Sequence, residues 1–191
     1  MSQDQTATRD VLLRGLRPIM FDRYPGDNKT QLPPGDKLYL DGGTVVLPAE
    51  NVMSFLTAVN TTSAPKRLLD KREYKDVCGA FQCFVEIMEE NIPFLRDGKP
   101  IKFSGFGDGD PDPRTGIFVD KRVARLDRGV PNPKERPVLP LPWELRLTIK
   151  LYANQEVGEP MLRQMFVEGG VALGFGTFRG RFGKFEVAEW Q

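Results

Sequence analysis

The sequence predicts an α+β fold built on an antiparallel sheet, and three observations predict it. Trp143, Leu145, Leu147, Ile149 and Leu151 alternate with Glu144, Arg146, Thr148, Lys150 and Tyr152, the period of a strand with one buried and one wet face. Val52, Phe55, Leu56 and Val59 recur at i, i+3, i+4 and i+7, the stripe of an amphipathic helix. The long elements run strand, helix, strand, strand, helix, strand. That order is the ferredoxin-like, split-βαβ arrangement: a four-stranded antiparallel sheet with both helices on one face.

Residues 1–10 read as a frayed tail lacking the apolar core of a signal peptide. Val11 to Phe21 reads as the first strand, with Pro18 marking an edge or bulge. The prolines and glycines of residues 22–36 make a loop, and Lys37 to Leu40 a short strand closed by Asp41-Gly42-Gly43. Pro48 opens the first helix. Lys66 to Lys75 carries five cations and reads as a solvated segment. Phe81, Cys83, Val85 and Ile87 alternate, which predicts a strand over 78–88, although Phe81, Phe84, Val85 and Met88 also fit a helical period. Pro160 opens the second helix, Gly169-Gly170 terminates it, and 184–190 forms the last strand. The expected division is one domain: a first half over 11–88, a large inserted arm over 89–142 between the second and third strands, and a second half over 143–191.

Composition bounds the chemistry. The 191 residues carry a net charge of +1, so any anionic partner must be met by a local patch. There is no histidine, which excludes imidazole zinc sites and Ser-His or Cys-His nucleophile pairs. Two cysteines, Cys78 and Cys83, form no disulfide framework and read as core thiols in a reducing compartment. No apolar run is long enough to span a bilayer, so a cytoplasmic protein without membrane contact is expected. Asp108, Asp110 and Asp112 alternate as in a calcium loop, but Pro113 and Val119 stand where an EF-hand needs Gly and Glu, so no metal or other cofactor is expected.

The functional signal lies in residues 169–185, where six glycines, four phenylalanines and three cations occur with no acid. Glycine permits close backbone approach, backbone amides and Arg can hold phosphate oxygens, and aromatics can stack bases. The competing reading is structural, with the phenylalanines packing as core. No Walker pattern is present. Residues 114–136 carry seven cations against three acids, either a solvated face or, set opposite the loop, the second wall of a basic groove.

A helix, then Gly174-Phe175-Gly176 and Arg179-Gly180-Arg181-Phe182-Gly183, then a last strand resembles the RAMP superfamily. These are the repeat-associated RNA-binding proteins of CRISPR effector complexes, and the nearest likeness is to their backbone subunits, which polymerise along guide RNA. The same ending resembles uncharacterised phage-encoded proteins. The resemblance implies a loop lying against RNA backbone, through Gly174, Gly176, Arg179, Gly180, Arg181 and Lys184, and a base-splaying hairpin within 105–136. Phe178, Lys121, Arg122, Arg125 and Arg128 complete the candidate set.

The expected function is therefore non-catalytic binding of single-stranded nucleic acid, RNA or DNA, by a self-assembling protein. An oligomer-forming structural protein that binds no nucleic acid is the alternative. A His-free nuclease, with Lys, Tyr or carboxylate-held metal as its proton carriers, and a nucleotide trap remain further alternatives.

Overall fold

A computed structural model describes residues 5–27, 29–107, 109–125 and 131–191. Along the chain run β1 (Ala7–Gly15), β2 (Ile19–Met20), β3 (Leu40–Asp41), β4 (Thr44–Pro48), α1 (Ala49–Thr57), α2 (Ala64–Leu68), α3 (Tyr74–Phe84), β5 (Val85–Ile87), β6 (Asn91–Arg96) and β7 (Lys99–Pro100). After them come β8 (Phe118–Arg125), β9 (Pro131–Leu139), β10 (Glu144–Leu151), α4 (Glu159–Ala172) and β11 (Phe185–Trp190). The protein is α+β, and its named strand pairs are antiparallel.

The main sheet is ordered β11-β1-β10-β6-β4-β3, with β5 also on β10 and β7 on β6. β1 pairs with β10 from Ala7 opposite Leu151 to Arg14 opposite Glu144. The alternation read in 143–152 fixes this pairing: Val11, Leu13, Leu145, Leu147 and Ile149 are buried together on one face. The outer edge of β10 meets β5 at one end and β6 at the other. The Glu89 carboxylate bridges the interval by accepting the Thr148 amide at 2.9 and 3.0 Å.

The sheet has eight strands rather than the four expected, because β3, β4, β6 and β7 extend it beyond β10. Part of the segment expected to leave the core thus belongs to it: Ile92 and Phe94 on β6 are fully buried. Residues 78–88 divide between α3 and β5. Val77, Cys78, Ala80 and Phe81 face the core at helical spacing, so the apparent alternation joined the end of a helix to the start of a strand. Cys78 is accordingly buried, whereas Cys83 is exposed. The first strand is also interrupted, since Val11 to Phe21 forms β1 and β2 on separate sheets.

The Val52, Phe55 and Leu56 stripe of α1 is buried as expected, and Pro48 occupies its N-cap. α4 runs through Gly169-Gly170 rather than ending there. A Cβ on Gly169 would stand 2.8 Å from the Phe55 ring and one on Gly170 2.6 Å from the Phe185 ring. These glycines admit aromatic rings against the helix backbone; they do not stop it.

A second sheet, β2-β9-β8, stands beside the first. β9 carries Pro131, Pro133 and Pro137 at even spacing, so their missing N–H groups fall on one edge. Phe21 N donates to Pro137 O on that edge at 3.0 Å, while the other edge pairs with β8 along its full length. The proline-rich segment is therefore a strand of a hairpin.

Arg9 on β1 donates to both carboxylate oxygens of Glu159 at 2.6 and 2.7 Å, and the Trp190 indole donates to the same carboxylate at 3.0 Å. Arg9, and secondarily Trp190, hold the Glu159 carboxyl below the usual glutamate range against the opposing effect of partial burial. A depressed folded pKa contributes stability above the unfolded value, about 4, and that contribution disappears as pH falls through the lower folded value. Glu159→Gln should lower Tm by about 2–4 °C at pH 7, a modest shift because the pair is partly exposed. The gap to the parent protein should close in thermal melts below about pH 4.

Candidate nucleic-acid interface

Residues 173–184 leave α4 as a knot of left-handed turns: Gly174, Gly176, Gly180 and Gly183 all have positive φ, between 70° and 85°. Their neighbours explain three of the four. A Cβ on Gly174 would lie 2.4 Å from Gly183 O, one on Gly176 2.5 Å from Met20 O, and one on Gly183 2.0 Å from Phe175 O. The loop folds on itself and on β2 too closely for any side chain at those positions. Gly180 has no such neighbour, only Ala172 O at 4.0 Å.

This packing consumes the loop's backbone donors. Phe175 N donates to Gly183 O, Thr177 N to Met20 O, Gly180 N to Leu173 O, and Gly183 N to Pro18 O. Arg181 N and Phe182 N both donate to Phe178 O. Those amides are already engaged by carbonyls, so the loop meets solvent chiefly through side chains. The phenylalanines divide between the two readings of the sequence. Phe175 and Phe185 are buried and stacked at 4.5 Å, and Phe182 is half-buried. Phe178 is 42% exposed.

The cations also divide. Arg179 donates to Gly176 O at 3.2 Å and to Thr62 O at 2.8 Å, and burial pushes its pKa below the ordinary arginine value. It ties the loop to the α1–α2 connection. Arg181 is exposed and Lys184 half-buried. With Arg17, Pro18, Gly180 and Phe182 they line an open pocket of about 380 Å³. Among the described residues, Arg17, Arg181 and Lys184 have no ion-pair partner. Arg17 was not among the residues singled out from sequence. It arrives here because Leu16 N and Arg17 N both donate to Lys184 O, and its own carbonyl accepts the Trp143 indole at 2.9 Å. No local sequence signal marks that long-range closure.

The β8–β9 hairpin reaches the loop at one point. The Arg122 guanidinium lies 5.3 Å from the Phe178 ring centroid and 5.0 Å from that of Phe182. It also makes a bidentate pair with Asp120, which holds the Asp120 carboxyl below its usual range with help from Arg181. Arg122 therefore joins hairpin to loop, with its charge already matched. Lys121 pairs with Glu135 at 3.0 Å on the exposed face. Arg125 lies opposite Pro131 at the end of the ladder, and Arg128 lies outside the described residues. The positive surface is thus narrower than the sequence implied, since Lys121, Arg122 and Arg136 are paired within the hairpin or to Asp22.

The acidic loop is structural where it is described. Asp112 is buried and accepts from the Thr115 hydroxyl at 2.6 Å, and Asp110 accepts the Val119 amide at 2.9 Å. Among the described residues no group of three acids or cysteines could hold a metal ion. No helix among them is long and apolar enough to cross a membrane.

The fold is similar to that of a chain in the cryo-EM structure of the Type III-B Cmr-beta bound to cognate target RNA, with a TM-score of 0.53 and 13% sequence identity. The likeness covers 98% of this chain and 60% of that one, so this chain spans about three fifths of its neighbour's length. It is a likeness of fold. No protein-family model matches the sequence, and no curated protein does.

The glycines of the loop should respond unequally to the same substitution. Gly183→Ala, which meets a carbonyl at 2.0 Å in a left-handed backbone, should destabilise by about 3 kcal/mol or more. Gly180→Ala, which meets only the conformational cost, should lose about 1 kcal/mol. Chemical denaturation of the two variants measures the difference directly.

Proposed function

We propose that this protein is a RAMP-like binder of single-stranded nucleic acid, RNA foremost, built on a ferredoxin-like core, that grips the sugar–phosphate backbone at the Arg17, Arg181 and Lys184 pocket. The observation that carries the reading is that pocket: three unpaired cations converge where the glycine-rich loop closes on the β1–β2 crossover. The fold supports it, because β11, β1, β10 and β5 lie in the order a ferredoxin-like core requires, with further strands added beyond β10. The RNA-bound neighbour supports it as well, at the level of fold.

A second mode of RNA binding on such a sheet, with bases stacked on aromatics of the open face, is disfavoured by the side chains present. That face carries Arg14 between Glu144 and Glu186, Arg146 against Glu189, and Lys150 over Tyr152. Its charges are largely matched internally. The role we propose for Arg17, Arg181 and Lys184 is non-catalytic, as cations that hold phosphate. Self-assembly along a bound strand and a cytoplasmic setting belong to the same reading.

Fluorescence anisotropy with labelled single-stranded RNA and DNA tests the proposal. Three phosphate contacts predict that affinity falls about 20-fold between 50 and 200 mM salt. The triple variant Arg17→Ala, Arg181→Ala, Lys184→Ala should abolish most of that salt dependence while its Tm stays near the parent's. Binding by the triple variant equal to the parent's would refute the site. Cleavage of the labelled strand in the presence of divalent metal would refute the non-catalytic assignment.

A further inference from the structure

Among the described residues the loop has five left-handed positions, four filled by glycine and the fifth by Phe178, at φ 56°. A bulky side chain in that region is a genuine outlier, because its Cβ crowds the following carbonyl. Among the described residues the only other non-glycine with positive φ is Asp97, in an Asp-Gly hairpin turn where such geometry is ordinary. In a segment so rich in glycine, a glycine would relieve Phe178 as well. The ring is not retained for the core, since 42% of the residue is exposed.

The ring is nonetheless held in place. Arg122 from the hairpin covers one side of Phe178 and also the neighbouring Phe182 ring, and Asp120 fixes the guanidinium through a bidentate pair. Phe178 O accepts from Arg181 N and Phe182 N, so ring and cationic pocket belong to one tight turn. Phe182 lines the pocket while sharing Arg122 with Phe178. An exposed aromatic ring, backed by a fixed cation and set beside an open cationic pocket, is the arrangement a nucleotide needs.

We propose that Phe178 is a stacking platform for one unpaired base, whose flanking phosphate sits among Arg17, Arg181 and Lys184. The inference rests on the backbone-binding reading above and goes beyond it, because it makes the ligand a nucleotide with an unstacked base rather than any polyanion. Duplex, whose bases are sequestered, would then satisfy the cations but not the ring. Stacking of this kind tolerates any base, so the site would discriminate strand state rather than sequence.

The test compares two labelled single strands of equal length and charge, an oligouridylate and an abasic oligomer carrying the same phosphates without bases, against the parent protein and Phe178→Gly. The parent should bind the oligouridylate about 10-fold more tightly than the abasic strand. Phe178→Gly should bind both strands with the parent's abasic affinity. Its Tm should be held or raised, because the strained position is relieved. Equal affinity of the parent for the two strands overturns the stacking role and leaves the cationic pocket standing. A Phe178→Gly variant that melts lower and weakens on both strands alike also overturns it, by showing that the ring is a clamp for the loop. If the parent binds neither strand, the pocket itself fails and the stacking role fails with it.

Discussion

The structure depends on how closely aromatic rings approach the backbone at the root of the glycine-rich loop. Phe55 from α1 lies 5.0 Å from Phe175 and 5.8 Å from Phe185, which stack on one another at 4.5 Å, and Phe166 of α4 closes the cluster at 5.7 Å. Each such pair is worth about 1 kcal/mol beyond simple burial. They fit only because Gly169 and Gly170 leave the α4 surface bare beneath them. One cluster therefore sets α1, α4, β11 and the start of the loop against each other. It turns a segment whose composition suggests flexibility into a folded scaffold, and it fixes where Arg181 and Lys184 emerge.

A second constraint decides what that scaffold faces. The Trp143 ring occupies the space over Gly15, where a Cβ would stand 2.3 Å from it, and donates its indole N–H to Arg17 O. The chain consequently leaves β1, turns over the tryptophan, and returns as β2 on the other sheet. That crossover supplies carbonyls to Thr177 and Gly183 of the loop, and its next residue, Phe21, donates to Pro137 O of the hairpin. The junction of loop, crossover and hairpin is thus built from backbone hydrogen bonds together with the Arg122 and Arg179 side chains, and among the described residues Arg17, Arg181 and Lys184 take no part in holding it through their charged ends.

How much was legible in the sequence follows from how local each signal is. The strand at 144–151 and the helix at 49–57 were readable because their buried faces repeat within a few residues. The 78–88 segment was misread because a helix ending at Phe84 hands over to a strand at Val85, and two short periods overlap across the junction. β4 and β6 were missed as partners since neither is long and their pairing, Leu47 opposite Ile92, is fixed only by tertiary packing. The glycine-rich stretch was recognised as special on composition, and at Gly174, Gly176 and Gly183 the close neighbours are carbonyls of the same protein. Glycine marks a close approach without saying what approaches.

The same asymmetry governs the cations. A count of Lys and Arg over 114–136 suggests a strongly basic hairpin, yet Lys121, Arg122 and Arg136 each meet an acid, two of them contributed from elsewhere on β8 or β9 and one from Asp22. Charge that is already paired steers weakly and grips poorly, because a phosphate must first displace a carboxylate at no net gain in hydrogen bonds. Among the described residues, three cations outside any ion pair converge elsewhere, at Arg17, Arg181 and Lys184, two from the loop and one from a crossover more than 160 residues earlier in sequence. For a chain with net charge +1, local arrangement and not total charge must create any anion site. Here that arrangement is produced by the fold, which closes one end of the chain over the other until three cations share a pocket, none of them in an ion pair among the described residues.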